Sequence, residues 1–526
     1  MLSIMDSPLS GSVPLTQVAL HLNPIDDVAI AKVVLSMGLV LERDGAPSVQ
    51  VKQFIPLGHK IALRDIGVGE PVRRYGQIIG FATQPIPMGG HVHTQNIAVE
   101  DFTRDYGIGQ QVEPVEYVPE AERRTFMGYQ RADGRVGTRN YIAIISSVNC
   151  SAHTIREIAH HFTPERLAAY PNVDGVIALA HTSGCGQRTG GADLTILQRT
   201  MASMANHPNV GAYLMVGLGC ETNQIADVVD NYHLHSADNA TMPPPSLTIQ
   251  ESGGIRKTVQ RGIEAVERLL PFVNQTPRTP QPISELVVGL KCGGSDSWSG
   301  ITANPVVGLL ADEIVRNGGT AALAETPEIY GAEHLLTRRA ISAEVAEKLI
   351  DKVHWWERHA AKHEMEIDNN PSAGNKVGGL TTILEKSLGA VAKGGSTPLM
   401  GVFDYAEPIT VRGFTFVDTP GYDPVCVTGQ VASGCNIVLF TTGRGSVFGY
   451  KPAPSIKIAT NTAMYEHMLD DMDFNTGTVL EGVDMRKVAA DLLDLVIGVA
   501  SGKPSKSEEQ GVGEAEFIPW NLGGTL

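Results

Sequence analysis

Cysteine is scarce in this chain: there are six in 526 residues, none of them clustered. That usage argues against a disulfide framework and for a reducing compartment, the cytoplasm. Basic residues are also short, with 41 Lys and Arg against 57 Asp and Glu, a net charge of −16. Such a balance disfavours broad nucleic-acid binding, and because the charge is spread along the chain its plain reading is solubility. No apolar run reaches the ~18 residues a membrane helix needs, and mean hydropathy is near zero. The segment MLSIMDSPLSGSVPLTQ has no basic stretch followed by an apolar core, so no signal peptide is expected. Low-complexity tracts and short-period repeats are not read. The GxG strings lie outside the context of a GxGxxG dinucleotide fingerprint, which sets NAD aside.

What the chain does have is glycine, 56 residues of it, and alternating apolar segments. Its length suits roughly two to four domains. Residues 1–100 read as a small β-rich module, with short apolar strands between Gly- and Pro-rich turns. Residues 101–125 are charged and aperiodic and read as a linker. From 126 to 274, YIAIISSV, VIALA and AYLMVGLG alternate with amphipathic helical stretches, the βαβ signature of a parallel sheet. QTPRTPQPIS (275–284) carries three prolines and reads as a boundary. A second α/β lobe then spans 285–526 and ends in a polar tail, 501–516, expected to be mobile. The expected fold class is α/β: a β-rich module followed by two lobes with mainly parallel sheets.

Three cysteines each follow an apolar run: Cys185, Cys220 and Cys292. The carboxyl ends of parallel strands face one crevice, where ligands bind. Three thiols in such places suggest one soft-metal site. Zinc takes four protein ligands in structural sites, or three plus water in catalytic ones. Thiolates also suit iron–sulfur clusters, and a cluster on three cysteines leaves one iron open as a Lewis acid. A mononuclear iron on His and carboxylate is the competing arrangement. Cys150 is a fourth candidate thiol, and Cys426 and Cys435 read as core.

Other segments carry polar groups suited to a small anion. In HVH, His91 and His93 point to the same side of an extended segment, with Asn96 close by. KCGGSDSWSGITANP offers Ser295, Asp296 and Asn304 ahead of a helix start. NPSAGNK presents Asn375 and Lys376, the latter a candidate general acid or base. Arg444 sits between glycines after a strand, placed for a bidentate carboxylate contact.

Taken together, GHKIALRDI (58–66), HVHTQN (91–96), GYQRADGRVGTRN (128–140), GLGCE (217–221), LKCGGSD (290–296), NPSAGNK (370–376) and TTGRG (441–445) resemble the altronate/galactarate dehydratase family of sugar-acid hydro-lyases. The resemblance runs from about residue 16 to 500. It implies a small amino-terminal module of the SAF type and a large catalytic part. It also implies iron-dependent dehydration of a sugar acid to a 2-keto-3-deoxy product, with Mn²⁺ as a substitute ion. HVHTQN, ETPEIYGAEHLL and AHTSGC lean toward the altronate branch; galactarate dehydratases are similar in the core motifs. The catalytic set expected is His93, Lys376 and Asp296, with the base either His93 or Lys376. Substrate contacts are expected from His91, Asn96, Ser295, Asn304, Asn375 and Arg444, and metal contacts from Cys185, Cys220 and Cys292. A sulfolactate-type lyase and a non-catalytic sugar-acid binder are the alternatives. The partner expected is the sugar acid alone, with no nucleic acid and no membrane, in a chain whose features are compatible with a homo-oligomer.

Overall fold

A computed structural model describes residues 11–100, 104–237 and 241–522. Residues 1–10, part of the segment read as lacking a signal peptide, and 101–103, the start of the expected linker, lie outside the described residues.

The amino-terminal module is built of short, mostly antiparallel strands around a small apolar core that includes Leu35, Leu41, Val49, Ile55 and Ile61. It does contain a repeat that the sequence reading missed. Four turns share the form apolar-x-x-Gly: Leu35 to Gly38, Ile55 to Gly58, Ile66 to Gly69 and Ile86 to Gly89. Each apolar residue is buried, and they bridge in pairs, Leu35 with Ile55 and Ile66 with Ile86. Each glycine has φ between 75° and 90°, a conformation that costs other residues. The repeat is faint in sequence because only two positions in each copy are constrained and the steps between turns alternate in length. His59 follows the second turn and Gly90-His91 the fourth, so equivalent turns deliver both rings.

Residues 104–125, read as a linker, are packed against the carboxy-terminal lobe: the Tyr106 carbonyl accepts from Thr337, and Arg104 pairs with Glu333. The proline-rich segment 275–284 is likewise ordered. Thr279–Pro282 is a strand paired with Thr125–Gln130, at the end of a three-stranded sheet. An outer strand tolerates proline because its outward N–H groups have no partner to lose.

Four parallel strands form the middle sheet, in the order Gly175–Leu179, Tyr141–Ser146, Val210–Gly217, Ser246–Thr248. Successive side chains of a strand face opposite ways. Ile142 and Ile144 therefore pack under helices Ala152–His160 and Ile255–Val273, while Ala143 and Ile145 meet helix Ala192–Ala205.

The carboxy-terminal sheet has seven strands, all parallel: Leu399–Phe403, Gly413–Val417, Thr320–Leu323, Val287–Cys292, Ile437–Thr442, Ser455–Ala459 and Phe474–Asn475. Most are continuous apolar runs, as expected of strands covered on both faces. The strand Gly413–Val417 and the helix Met485–Ala500 are additions to the sequence reading. In that helix Val488, Leu492, Val496 and Val499 fall at helical spacing and are buried. Burial of each such side chain stabilises the fold by about 1.5–3 kcal/mol. The tail expected to be mobile is anchored: Ser505 caps a short helix, and Glu508 accepts from Arg139 at 2.7 and 2.8 Å. Among the described residues no helix is long and apolar enough to cross a membrane.

Candidate active site

Three imidazoles converge on one face of the amino-terminal module. His59 Nδ1 and His91 Nε2 are hydrogen-bonded at 3.0 Å, and the His59 and His93 ring centroids are 4.6 Å apart. One ring nitrogen from each of His59, His91 and His93 lies within 4.8 Å of the others. Backbone pairing sets this arrangement: in adjacent antiparallel strands Ile61 pairs with His91 and Lys60 with Val92. Asn96 fixes the turn that follows, accepting from the His93 N–H and donating to the His91 carbonyl, both at 2.9 Å. Burial lowers the pKa of all three rings, with help from the Lys60 charge, to about 4 for His91 and about 3 for His93. They are neutral at neutral pH, the form in which imidazole binds a metal. His93 Nδ1 is buried without a hydrogen-bond partner.

The carboxy-terminal lobe closes over this face. His59 Nε2 meets the Val377 carbonyl at 3.2 Å, and Ser297 donates to the Gly58 carbonyl at 2.6 Å. Lys60 is wholly buried and donates to Glu385 and to the Gly379 carbonyl. Arg74, buried too, donates to Glu385 and the Ser297 carbonyl. Burial opposes the charge of Glu385, but Lys60 and Arg74 outweigh it and hold the carboxyl down at about 2. Burial brings Lys60 down to about 8 against the pull of Glu385.

Several expected site residues are gathered here. Asn375 donates to the Ser295 carbonyl, and the Arg444 N–H donates to the Gly294 carbonyl. The loops 293–299, 370–379 and 443–445 are thus joined to one another beside His59. Ser295 Oγ is buried without a partner. Asp296 accepts from Trp298, Ser299 and Thr460, yet burial still raises its pKa to about 6. The exposed Arg444 guanidinium and the half-buried Lys376 ammonium make no hydrogen bond or salt bridge among the described residues.

Other expectations need revision. Asn304 is buried with both polar ends in use, on the Gly389 carbonyl and the Thr441 hydroxyl. Asn96 and Asn375 spend their amides on positioning the backbone of the loops around the site. The three-thiol set does not assemble. Cys185 and Cys220 are exposed on the middle lobe, whereas Cys292 is buried in the carboxy-terminal sheet. Cys292 stands with Glu325 and Glu328, but three lysines already fill that group. Lys393 lies 2.8 Å from the Cys292 sulfur and 3.0 Å from Glu325, Lys291 is bonded to Glu325, and Lys386 is 2.7 Å from Glu328. Ammonium charges thus occupy the place of a cation, and this cluster does not suit a metal.

His59, Lys60, Arg74 and Glu385 are the residues the sequence reading passed over. His59 and Lys60 stand in GHKIALRDI, where they look like ordinary strand residues. Only the pairing with His91 shows what His59 does. A surface cleft of about 770 Å³, lined in part by Tyr141, Tyr170 and Glu508, contains none of the expected site residues.

Comparison with known proteins identifies the three parts of the chain. Residues 17–100 match the altronate/galactarate dehydratase SAF domain. Residues 128–274 match the D-galactarate dehydratase/altronate hydrolase second domain, and 283–525 the D-galactarate/altronate dehydratase C-terminal region. Altronate dehydratase of Bacillus subtilis (strain 168) is 35% identical over 483 residues, 91% of this chain and 94% of that protein. Altronate dehydratase of Escherichia coli (strain K12) is 35% identical over 490 residues, 93% and 96% of the two chains. Galactarate dehydratase (L-threo-forming) of the same strain is 36% identical over 500 residues, 94% and 95% of the two. The chain belongs to the altronate/galactarate dehydratase family, and it is a hydro-lyase of that family.

Proposed function

We propose that this protein removes water from a six-carbon sugar acid, D-altronate first and galactarate second, to give a 2-keto-3-deoxy sugar acid. The observation that carries the reading is the convergence of three neutral imidazoles at the joint between module and lobe, beside the hydrogen-bonded loops that carry Lys376 and Arg444. The buried, partnerless His93 Nδ1 and the neutral donor set fit a divalent first-row metal, ferrous iron with manganese as substitute. His59, His91 and His93 would hold it, and it would supply Lewis-acid polarisation of a substrate hydroxyl.

The chain's own groups account for the rest. Arg444 takes the substrate carboxylate through its planar fork. Lys376 takes up the proton removed from C2. Positive charge fixed beside the carboxylate stabilises the negative charge that develops there. Asp296, whose pKa near 6 keeps a protonated fraction close to neutrality, donates a proton to the departing C3 hydroxyl, which leaves as water. The remaining enol tautomerises to the 2-keto acid. Altronate supplied with ferrous iron should give keto acid, and His91→Ala and His93→Ala should lose both iron and turnover. Full turnover by both variants would overturn the reading. Retention of sugar-acid binding by the wild type without any keto acid would favour the binding-protein alternative.

A further inference from the structure

The middle sheet carries a feature that the histidine site does not use. Its three adjacent strands Gly175–Leu179, Tyr141–Ser146 and Val210–Gly217 run parallel. The loop after each one presents an exposed thiol: Cys185, Cys150 and Cys220 respectively. Neighbouring strands lie about 4.8 Å apart, so loops leaving the same edge are close.

Hydrogen bonds join the three loops into a closed triangle. Asn149 donates its N–H to the Ser183 carbonyl at 2.9 Å and its amide to the His181 carbonyl at 3.2 Å. The Asn223 N–H donates to the Gly184 carbonyl at 3.0 Å, and its side chain donates to the Ser147 carbonyl at 2.8 Å. Ser147 Oγ donates to Glu221 at 2.6 Å. The loops approach so closely that a Cβ on Gly184 would sit 2.3 Å from the Ser147 carbonyl oxygen.

Two further observations point to a ligand. Gln250 Nε2 lies 3.3 Å from the Cys220 sulfur, an amide donor set against a metal-ligating atom. Buried acceptors without partners gather in the same loops, Gln187 Oε1 two residues after Cys185 and Asn223 Oδ1 three after Cys220. Buried polar atoms are rarely left unpaired.

We propose that Cys150, Cys185 and Cys220 hold an iron–sulfur cluster, separate from the histidine group. Sulfurs on a single zinc, each about 2.3 Å from it, can stand no more than about 4.6 Å apart. The three thiols are not among the donor groups that close within 4.8 Å. A multi-iron cluster offers each thiolate its own iron and spans a wider spacing. Transfer of a preformed cluster is ligand exchange: each cysteine gives up a proton as its sulfur bonds iron, and the donor thiolate it displaces takes one up. No electron moves. One iron of a four-iron cluster is left without a protein thiolate. The proposal corrects the sequence expectation by one residue, replacing Cys292 with Cys150.

The test uses the full chain, purified anaerobically and then offered a synthetic thiolate-ligated four-iron cluster. Iron and acid-labile sulfide are counted, and the electron paramagnetic resonance of the reduced sample is recorded. Sulfide should be retained by the wild type, by Cys292→Ser and by His91→Ala. It should be lost from Cys150→Ser, Cys185→Ser and Cys220→Ser. Alkylation supplies a second readout on the wild type alone: loading should protect all three thiols together, and unloaded protein should label at all three. Absence of sulfide from the wild type, or full sulfide in any of the three serine variants, would overturn the proposal. Loss of iron in His91→Ala with sulfide intact would separate this site from the histidine site.

Discussion

Lys60 of the amino-terminal module donates to both carboxylate oxygens of Glu385, at 2.9 Å each, across 325 residues of sequence. Both side chains are fully buried. Together with Arg74 they form the main ionic tie between the module and the lobe that completes the site. Removing one member leaves an unpaired buried charge, which costs roughly 3–5 kcal/mol. Glu385→Gln should therefore lower the melting temperature clearly, and the loss should exceed that of an exposed pair such as Lys487→Ala, which breaks a surface contact with Asp491.

The same carboxyl makes a pH prediction. Its folded pKa is depressed to about 2, below the ordinary value of about 4.3. A depressed carboxyl contributes stability that is fully present above its unfolded pKa. That contribution should fade as pH falls from about 4.3 toward 2. Urea denaturation at several pH values should show a steeper acid loss in wild type than in Glu385→Gln.

Asp296 predicts a different profile. Its folded pKa is raised to about 6 by burial. As a proton donor it is active only while protonated, so the step it assists should weaken as pH rises through about 6. Asp296→Asn should remove that limb from the kcat/KM profile and lower the rate by about 10²–10⁴. A profile left unchanged by the variant would deny Asp296 the role.

Arg444 is exposed and makes no salt bridge among the described residues, so its loss should not unfold the chain. Arg444→Ala should cost about 1.5–3 kcal/mol of charge-assisted hydrogen bonding to substrate. That is about 10- to 150-fold in kcat/KM. Arg444→Lys should recover only part, because a lysine cannot offer the bidentate fork. Melting curves run beside the kinetics would separate a substrate role from a structural one.

Gly89 precedes Gly90-His91, has a φ of 85°, and has no room for a side chain: a Cβ there would lie 1.9 Å from the Gln50 carbonyl oxygen. Gly89→Ala should cost roughly 1–2 kcal/mol in backbone strain alone, with the overlap added. Gly134→Ala, at similar φ but with nothing within 4 Å, is the control. Metal binding should weaken in the first and persist in the second.

The architecture was legible where side-chain pattern decides it. YIAIISSV, AYLMVGLG and NIVLFTTG announce covered parallel strands by their unbroken apolar content, and the helices between them by their spacing. HVH was legible as well, because two like residues two apart on an extended segment share a side. His59 was not, since its meaning comes from a backbone register that brings it to His91, 32 residues on in the chain. Cys292 was misread for a related reason. A strand-end thiol looks the same in sequence whether it faces a crevice or a cage of lysines, and only the packing of Lys291, Lys386 and Lys393 tells them apart. Cys150 reads in sequence only as a fourth candidate thiol, yet its strand lies between the two that carry Cys185 and Cys220. Sequence order hides that neighbourhood, because the central strand of the sheet is the first of the three in the chain.

The tie between Lys60, Arg74 and Glu385 has a bearing on synthesis. Both cations leave the ribosome more than 300 residues before their counterion. Until residue 385 emerges, the nascent module carries two positive side chains with no carboxylate to meet them, and a face of imidazoles open to any passing ion. The order of translation thus makes the first hundred residues a half-finished object that waits for the last third of the chain. A module severed from that third, by truncation or by gene fission, would have to find the missing carboxylate on another polypeptide.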